Sequence, residues 1–175
     1  PNSYQIWFCS GGVHLQFAGL AMNYAGSDNK NSNVVANYTT TGWFSKLAFN
    51  EGKKILKAHS IVDIQKDKYG QFVLPDQYDY APNAAYTHFV DNETVEGLEY
   101  PDNRFPYQPG VPLLDDCSSS ILTKPIDWSK VSMAYAHAQK NCGISGVTVM
   151  IVDDNFLKTN PCEYIPEVCD FRVYQ

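Results

Sequence analysis

The chain has 175 residues, of which 44% are hydrophobic and 18% charged, and its formal net charge is −6. That length and balance fit one globular domain with a real core. The absence of a basic cluster argues against nucleic acid as a partner, and the absence of a long apolar run argues against a membrane span.

The first predicted element is Tyr4 to Cys9, a short aromatic and apolar run that reads as a buried interior strand and is broken by Ser10-Gly11-Gly12. Leu15 to Tyr24 then carries Leu15, Ala18, Ala21 and Met22 at helical spacing. Asn33 to Tyr38 is a second strand. Thr41 resembles an N-cap for a helix to about Lys57, with Lys53, Lys54 and Lys57 at the negative end of its dipole. Ser60 to Ile64 alternates as a third strand. Lys66 to Pro82 reads as a loop with a short strand at Phe72-Val73, followed by a strand from Tyr86 to Val90. Two prolines and a glycine make Asn103 to Gly110 a loop. Val111 to Leu114 is a strand ending on Asp115-Asp116, and Val131 to Ala138 and Val147 to Val152 are two more. Asp153 or Asp154 is placed to cap a short helix around Asn155-Phe156-Leu157, and Asp170 to Gln175 reads as extended.

Alternation of buried strands with helical segments predicts an α/β fold, a three-layer sandwich around a mostly parallel sheet. In such sheets ligands sit beyond the carboxyl ends of the strands. Four places qualify: Gly11 to His14, Asn92 to Thr94, Asp116, and Gln139-Lys140. The five cysteines form no Cys-x-x-Cys pair, and Cys9, Cys117 and Cys142 read as small core residues, which fits a reduced, cytoplasmic setting. Asn37-Tyr38-Thr39 and Asn92-Glu93-Thr94 match a glycosylation pattern that is common by chance.

A lysine at the end of a buried strand loses its proton more readily, and the neutral amine is a nucleophile toward an aldehyde. Lys140 is such a residue, and pyridoxal 5'-phosphate (PLP) is the aldehyde cofactor it suggests. That cofactor also wants a carboxylate against its pyridine nitrogen, amide donors for its phosphate, and an aromatic ring on one face. Asp116 is the carboxylate, with Asp115 a competitor that must point the opposite way. Gly11-Gly12 before a helix supplies the amides, and Trp43 or Phe44 the ring. Thr94 and Gln139 are placed to hydrogen-bond ring or phosphate oxygens. Each taken alone has a plainer structural explanation: a solvated lysine, a capping aspartate, a turn, or core aromatics.

"PIDWSKVSMAYAHAQKNCGISGVTVMIVDDNFL" resembles the cofactor-lysine region of the phosphoserine aminotransferase family, a branch of the class V aminotransferases among the fold-type I PLP enzymes. The likeness extends through "DDCSSSILTKPID", "NAAYTHFVDNETVEGLEY", "YTTTGWFSKLAFNEGKK" and "FCSGGVHLQFAGLAMN". It implies that Lys140 anchors the cofactor and shuttles the proton. Asp116 would bind the ring nitrogen and Thr94 the ring hydroxyl. Gln139 would help hold the phosphate, and Val13 and His14 would give it their backbone amides. Phe44 falls where the family stacks a tryptophan. The implied reaction moves an amino group from glutamate to 3-phosphohydroxypyruvate, in a homodimer. Departures are Val13-His14, His137 where glycine is usual, Ile144-Ser145, Asp115 and Cys117.

The family is longer than this chain. The resemblance therefore implies a partial large, cofactor-binding domain over residues 1–175, with an amino-terminal segment, a small carboxy-terminal domain and the substrate-binding arginines lying outside it. The alternatives are another class V aminotransferase, a cysteine desulfurase (for which neither Cys162 nor Cys169 is marked as a mobile nucleophile), or a truncated non-catalytic relative that keeps the fold as a binding module.

Overall fold

A computed structural model describes residues 3–27, 32–66, 72–101 and 104–175. The elements run β1 (Tyr4–Ser10), α1 (Val13–Tyr24), β2 (Val35–Thr40), α2 (Trp43–Gly52), β3 (Lys57–Asp63), β4 (Gln65–Lys66), β5 (Phe72–Val73), β6 (Thr87–Val90), β7 (Asn92–Glu93), β8 (Leu98–Glu99), β9 (Leu113–Asp116), β10 (Val131–His137) and β11 (Val147–Asp153). Short 3-10 turns follow at Glu167–Cys169 and Phe171–Tyr174.

Seven strands form one sheet in the order β1-β11-β10-β9-β6-β2-β3. β3, β2, β6, β9 and β10 pair in parallel, while β11 is antiparallel to both β10 and β1. Only β11 is reversed, so β1, β2, β6, β9 and β10 all deliver their carboxyl ends to one edge. The central strands β6 and β9 are buried at every position, as short apolar runs in a parallel sheet should be.

Both helices pack on one face. Phe17, Leu20 and Ala21 of α1 and Ala48 of α2 meet Trp7, Cys9, Ala36, Tyr38, Leu114, Met133, Tyr135 and Met150 in one core. The opposite face carries Leu113, Val131, Ala134 and Ala136 beneath Leu74, Tyr100 and Ile121, which lie in non-helical segments. Buried hydroxyls in the first core are paired: Tyr38 Oη with Tyr86 Oη at 2.5 Å, and Tyr135 Oη with His88 Nε2 at 2.7 Å. Burial pushes the His88 imidazole down to about 3, so it is neutral there.

Several sequence expectations are corrected. β1 is an edge strand, not an interior one: Trp7 and Cys9 are buried, but Ile6 is 61% and Phe8 72% exposed. The second helix starts at Trp43 with Gly42, not Thr41, at its N-cap, and ends at Gly52. Gly52 lets β2 approach this end, since a Cβ there would lie 2.5 Å from Tyr38 Oη. Lys57 opens β3 instead, and no basic residue stands in the last helical turn. β9 ends on Asp115-Asp116 as expected but begins at Leu113 rather than Val111. Asn155 to Leu157 form a turn, in which Asp153 Oδ1 accepts the Asn155 N–H at 2.8 Å. Residues 171–174 are 3-10 rather than extended. Cys142 is exposed, whereas Cys162 and Cys169 are buried with Cys9 and Cys117. Asn37 of the first glycosylation pattern is fully buried, with its side-chain oxygen accepting the Ala81 N–H at 3.1 Å.

Candidate active site

The carboxyl edge of the sheet carries a pocket lined by Val13, Phe44, Val90, Asn92, Thr94, Asp116, Ser118, Ser119, His137, Gln139 and Lys140. Parallel pairing of β6, β9 and β10 fixes this meeting. Val90 pairs with Asp116 and Asp116 with Tyr135, so the residues just past the three strands converge.

Lys140 lies beyond β10 on a tight turn, where Ala138 O accepts the N–H of Cys142 at 3.2 Å and of Gly143 at 2.8 Å. Its Nζ donates to Thr94 Oγ1 at 2.5 Å and stands 4.7 Å from the centre of the Phe44 ring. The expectation of a lysine sealed in apolar surroundings is not met, because Lys140 is exposed. Its amine is placed by a hydroxyl and an aromatic face rather than by desolvation.

Asp116 is the buried partner, 2% exposed. Oδ1 accepts the Ser118 hydroxyl at 2.6 Å and the Ser118 N–H at 3.1 Å. Burial pushes its carboxyl up to about 6, against the opposing pull of the Ser118 bonds and of the Lys140 charge; the Glu93 carboxylate adds to the rise. Among the described residues no donor bonds Oδ2, so this buried carboxylate can accept a further N–H. Asp115 points to the other face, as alternation requires, into a separate cavity with Asp91, Ser120 and Lys124. Burial and the neighbouring carboxylates of Asp91 and Asp116 raise its pKa far above the usual range, and it takes no part in the pocket at the carboxyl edge.

Two helices start at this edge, and they differ. The amides of α2 are taken by the protein: Glu93 Oε2 accepts the Phe44 N–H at 3.1 Å, Glu93 Oε1 accepts the Ser45 N–H at 3.2 Å, and Glu96 Oε1 accepts the Trp43 N–H at 3.0 Å. The side chain of Glu93 also takes the Thr41 hydroxyl at 3.2 Å and is fully buried. A Cβ on Gly42 would lie 2.5 Å from both Glu93 Cδ and Glu96 Oε2, so only glycine admits these two carboxylates. This arrangement fixes Phe44 over Lys140, because Glu93 precedes Thr94 in the chain and grips Phe44 across it. Trp43, the rival for stacking, is 59% exposed and outside the pocket. By contrast, no side chain caps α1 at Gly12, and its first amides keep their positive end for an anion. Val13 lines the pocket; the His14 side chain does not, being exposed and edge-on to Phe17, so only its backbone amide remains as a candidate donor.

The structure thus gathers Lys140, Asp116, Thr94, Phe44, Gln139 and Val13 at one place. Asn92, from the expected Asn92 to Thr94 place, lines it too, and the structure adds Val90, Ser118, Ser119 and His137. The signal for His137 was strand alternation, which puts it on the same face as Met133 and Tyr135. Ser118 was visible only as part of the paired serines after Asp116.

Residues 1–170 match the family described as aminotransferase class-V. The chain belongs to this family. A probable phosphoserine aminotransferase of Dictyostelium discoideum is 38% identical over 172 residues, 97% of this chain and 45% of that protein. The structure of a phosphoserine aminotransferase from Bacillus circulans subsp. alkalophilus superposes with a TM-score of 0.85 at 34% identity, covering 99% of this chain and 46% of that one. A PLP-bound phosphoserine aminotransferase from Trichomonas vaginalis gives a TM-score of 0.83 at 32% identity, over 99% of this chain and 50% of that one. The chain therefore spans about half the length of these class V relatives. Among the described residues, no group of histidine, cysteine and acidic side chains is arranged to hold a metal ion, and no helix is long and apolar enough to cross a membrane.

Proposed function

We propose that this chain is the cofactor-binding part of a PLP-dependent aminotransferase that moves the amino group of glutamate to 3-phosphohydroxypyruvate, releasing 2-oxoglutarate and phosphoserine. The observation that carries the reading is the convergence of Lys140, Thr94, Phe44 and buried Asp116 on one pocket. Its class V relatives named phosphoserine aminotransferase supply the substrate pair.

The residues fit the cofactor. When bound, PLP supplies an aldehyde to hold an amine and a ring that withdraws electrons from the bond to be broken. Asp116 would keep a proton on the ring nitrogen, and the same burial that raises its own pKa would strengthen that charge-assisted bond. The Lys140 Nζ would hold the aldehyde and would be placed to take up and return the substrate's proton. Thr94 would hydrogen-bond the ring hydroxyl and orients Nζ. Phe44 would cover one face of the ring and exclude water there. The backbone amides of Val13 and His14, with Gln139, would hold the phosphate.

The reading places the substrate-binding arginines outside these residues, and includes a homodimer in the cytoplasm that serves serine biosynthesis. Retention of both Lys140 and Asp116 supports it over a non-catalytic relative, which needs neither. The test is direct. Titration with PLP should produce a visible absorbance band that Lys140→Ala abolishes, and glutamate with 3-phosphohydroxypyruvate should yield 2-oxoglutarate. No band in the unaltered protein would overturn the reading.

A further inference from the structure

His137 ends β10 and lines the same pocket as Lys140 and Asp116. Its backbone N–H donates to Ser118 Oγ at 3.0 Å, which ties the strand end to the loop that holds Asp116. Its imidazole lies against the start of α1: a Cβ on Gly12 would stand 3.0 Å from His137 Cε1 and 3.3 Å from Nε2. Nε2 is buried and has no hydrogen-bond partner among the described residues. A buried ring nitrogen without a partner costs free energy comparable to a lost hydrogen bond. Here it sits beside the start of α1, which no side chain caps among the described residues.

We propose that His137 is a phosphate-binding residue, its Nε2–H donating to the phosphate of the bound cofactor beside the Val13 and His14 amides. The inference rests on the cofactor reading above. The imidazole would bound the phosphate site where the end of β10 meets the start of α1. Other charged or titratable groups around it are Lys140 on the following turn, Asp116 at the end of β9 and His14 in the first turn of α1. β11 contributes Thr148, which pairs with His137 in register and carries no charge. In the absence of an anion, burial and the Lys140 charge lower the pKa of His137, leaving the ring neutral at neutral pH. A phosphate dianion reverses that bias and favours proton uptake on binding. Affinity for the phosphorylated cofactor is then strongest at the lower end of the neutral range.

The experiment compares PLP with pyridoxal, which lacks the phosphate, by titrating the visible absorbance of the purified protein. In the unaltered protein PLP binds more tightly than pyridoxal, and the ratio widens from pH 8 to pH 6.5. His137→Gly weakens PLP about tenfold, the effect of one hydrogen bond to a charged group, leaves pyridoxal unchanged, and flattens the pH dependence of the ratio. His137→Gln, which keeps an N–H donor, recovers part of the loss at all pH values. Unchanged pyridoxal binding shows that each variant still folds its pocket. An unaltered PLP to pyridoxal ratio in His137→Gly, or tighter PLP binding there, overturns the proposal and makes the ring a steric plug. That failure leaves the cofactor reading standing, whereas the absence of any band with either compound in the unaltered protein overturns both.

Discussion

Asp116→Asn isolates the cost of holding a carboxyl in the floor of the pocket. In the folded protein the Asp116 carboxyl is pushed up to about 6 from an ordinary 3.8, with burial the largest cause. Its unfolded value is the lower one, so the folded state binds a proton that the unfolded state has released between these two values. Below pH 4 both states are protonated and Asp116 costs nothing. As pH rises through this window the folded protein loses stability relative to an uncharged isostere, and above pH 6 the loss is complete. Each tenfold difference in proton affinity is worth about 1.4 kcal/mol, so the full penalty is about 3 kcal/mol. Asparagine keeps Oδ1 for both Ser118 bonds and puts a neutral amide where Oδ2 stands. The cofactor-free Asn variant should therefore match the unaltered protein near pH 4 and exceed it in urea unfolding by up to about 3 kcal/mol at pH 7 to 8. PLP should reverse the order, because the ring N–H then offsets the charge. A stability difference that does not change with pH, or an Asn variant weaker at pH 8 without cofactor, would refute the reasoning.

The same Asp116→Asn change should slow amino transfer far more than it weakens cofactor binding, since a proton on the ring nitrogen is needed for electron withdrawal; parallel measurements of turnover and PLP affinity check this. Glu93→Ala should cost about 2 kcal/mol in urea unfolding by stripping the Phe44 and Ser45 amides of their acceptor, and Glu93→Gln should recover part of it. Gly42→Ala should lower the thermal midpoint, because the new methyl group would stand where Glu93 and Glu96 close on α2. Phe44→Ala should weaken PLP binding, whereas exposed Trp43→Ala should leave it unchanged, as absorbance titration would show.

The parallel sheet was legible because its strands are short apolar runs that end in turns, and its carboxyl edge named most of the pocket in advance. Lys140, Asp116 and Thr94 each had a plainer explanation alone; their shared place at strand ends joined them, and the family resemblance made the set specific. What periodicity could not reveal was long-range. Edge and interior strands share an apolar pattern when one face of the edge stays bare, as at Ile6 and Phe8. The end of α2 was misjudged because Lys57 is claimed by sheet pairing: it stands opposite Val35 of β2 and opens β3. Capping by Glu93 from a separate hairpin was hidden for the same reason: local cap rules look for a side chain at Thr41 or Gly42, not 49 residues away.

The contrast between the two helix starts also determines which way round a guest can lie. Glu93 and Glu96 neutralise the one above the ring face, while the bare amides at Gly12 attract negative charge and the carboxylate of Asp116 attracts positive charge. Under the cofactor reading proposed above, a molecule that is anionic at one tip and cationic at the other would be aligned before Lys140 could react with it. The reversed pose would set like charges against each other at both ends, so electrostatics would select the orientation.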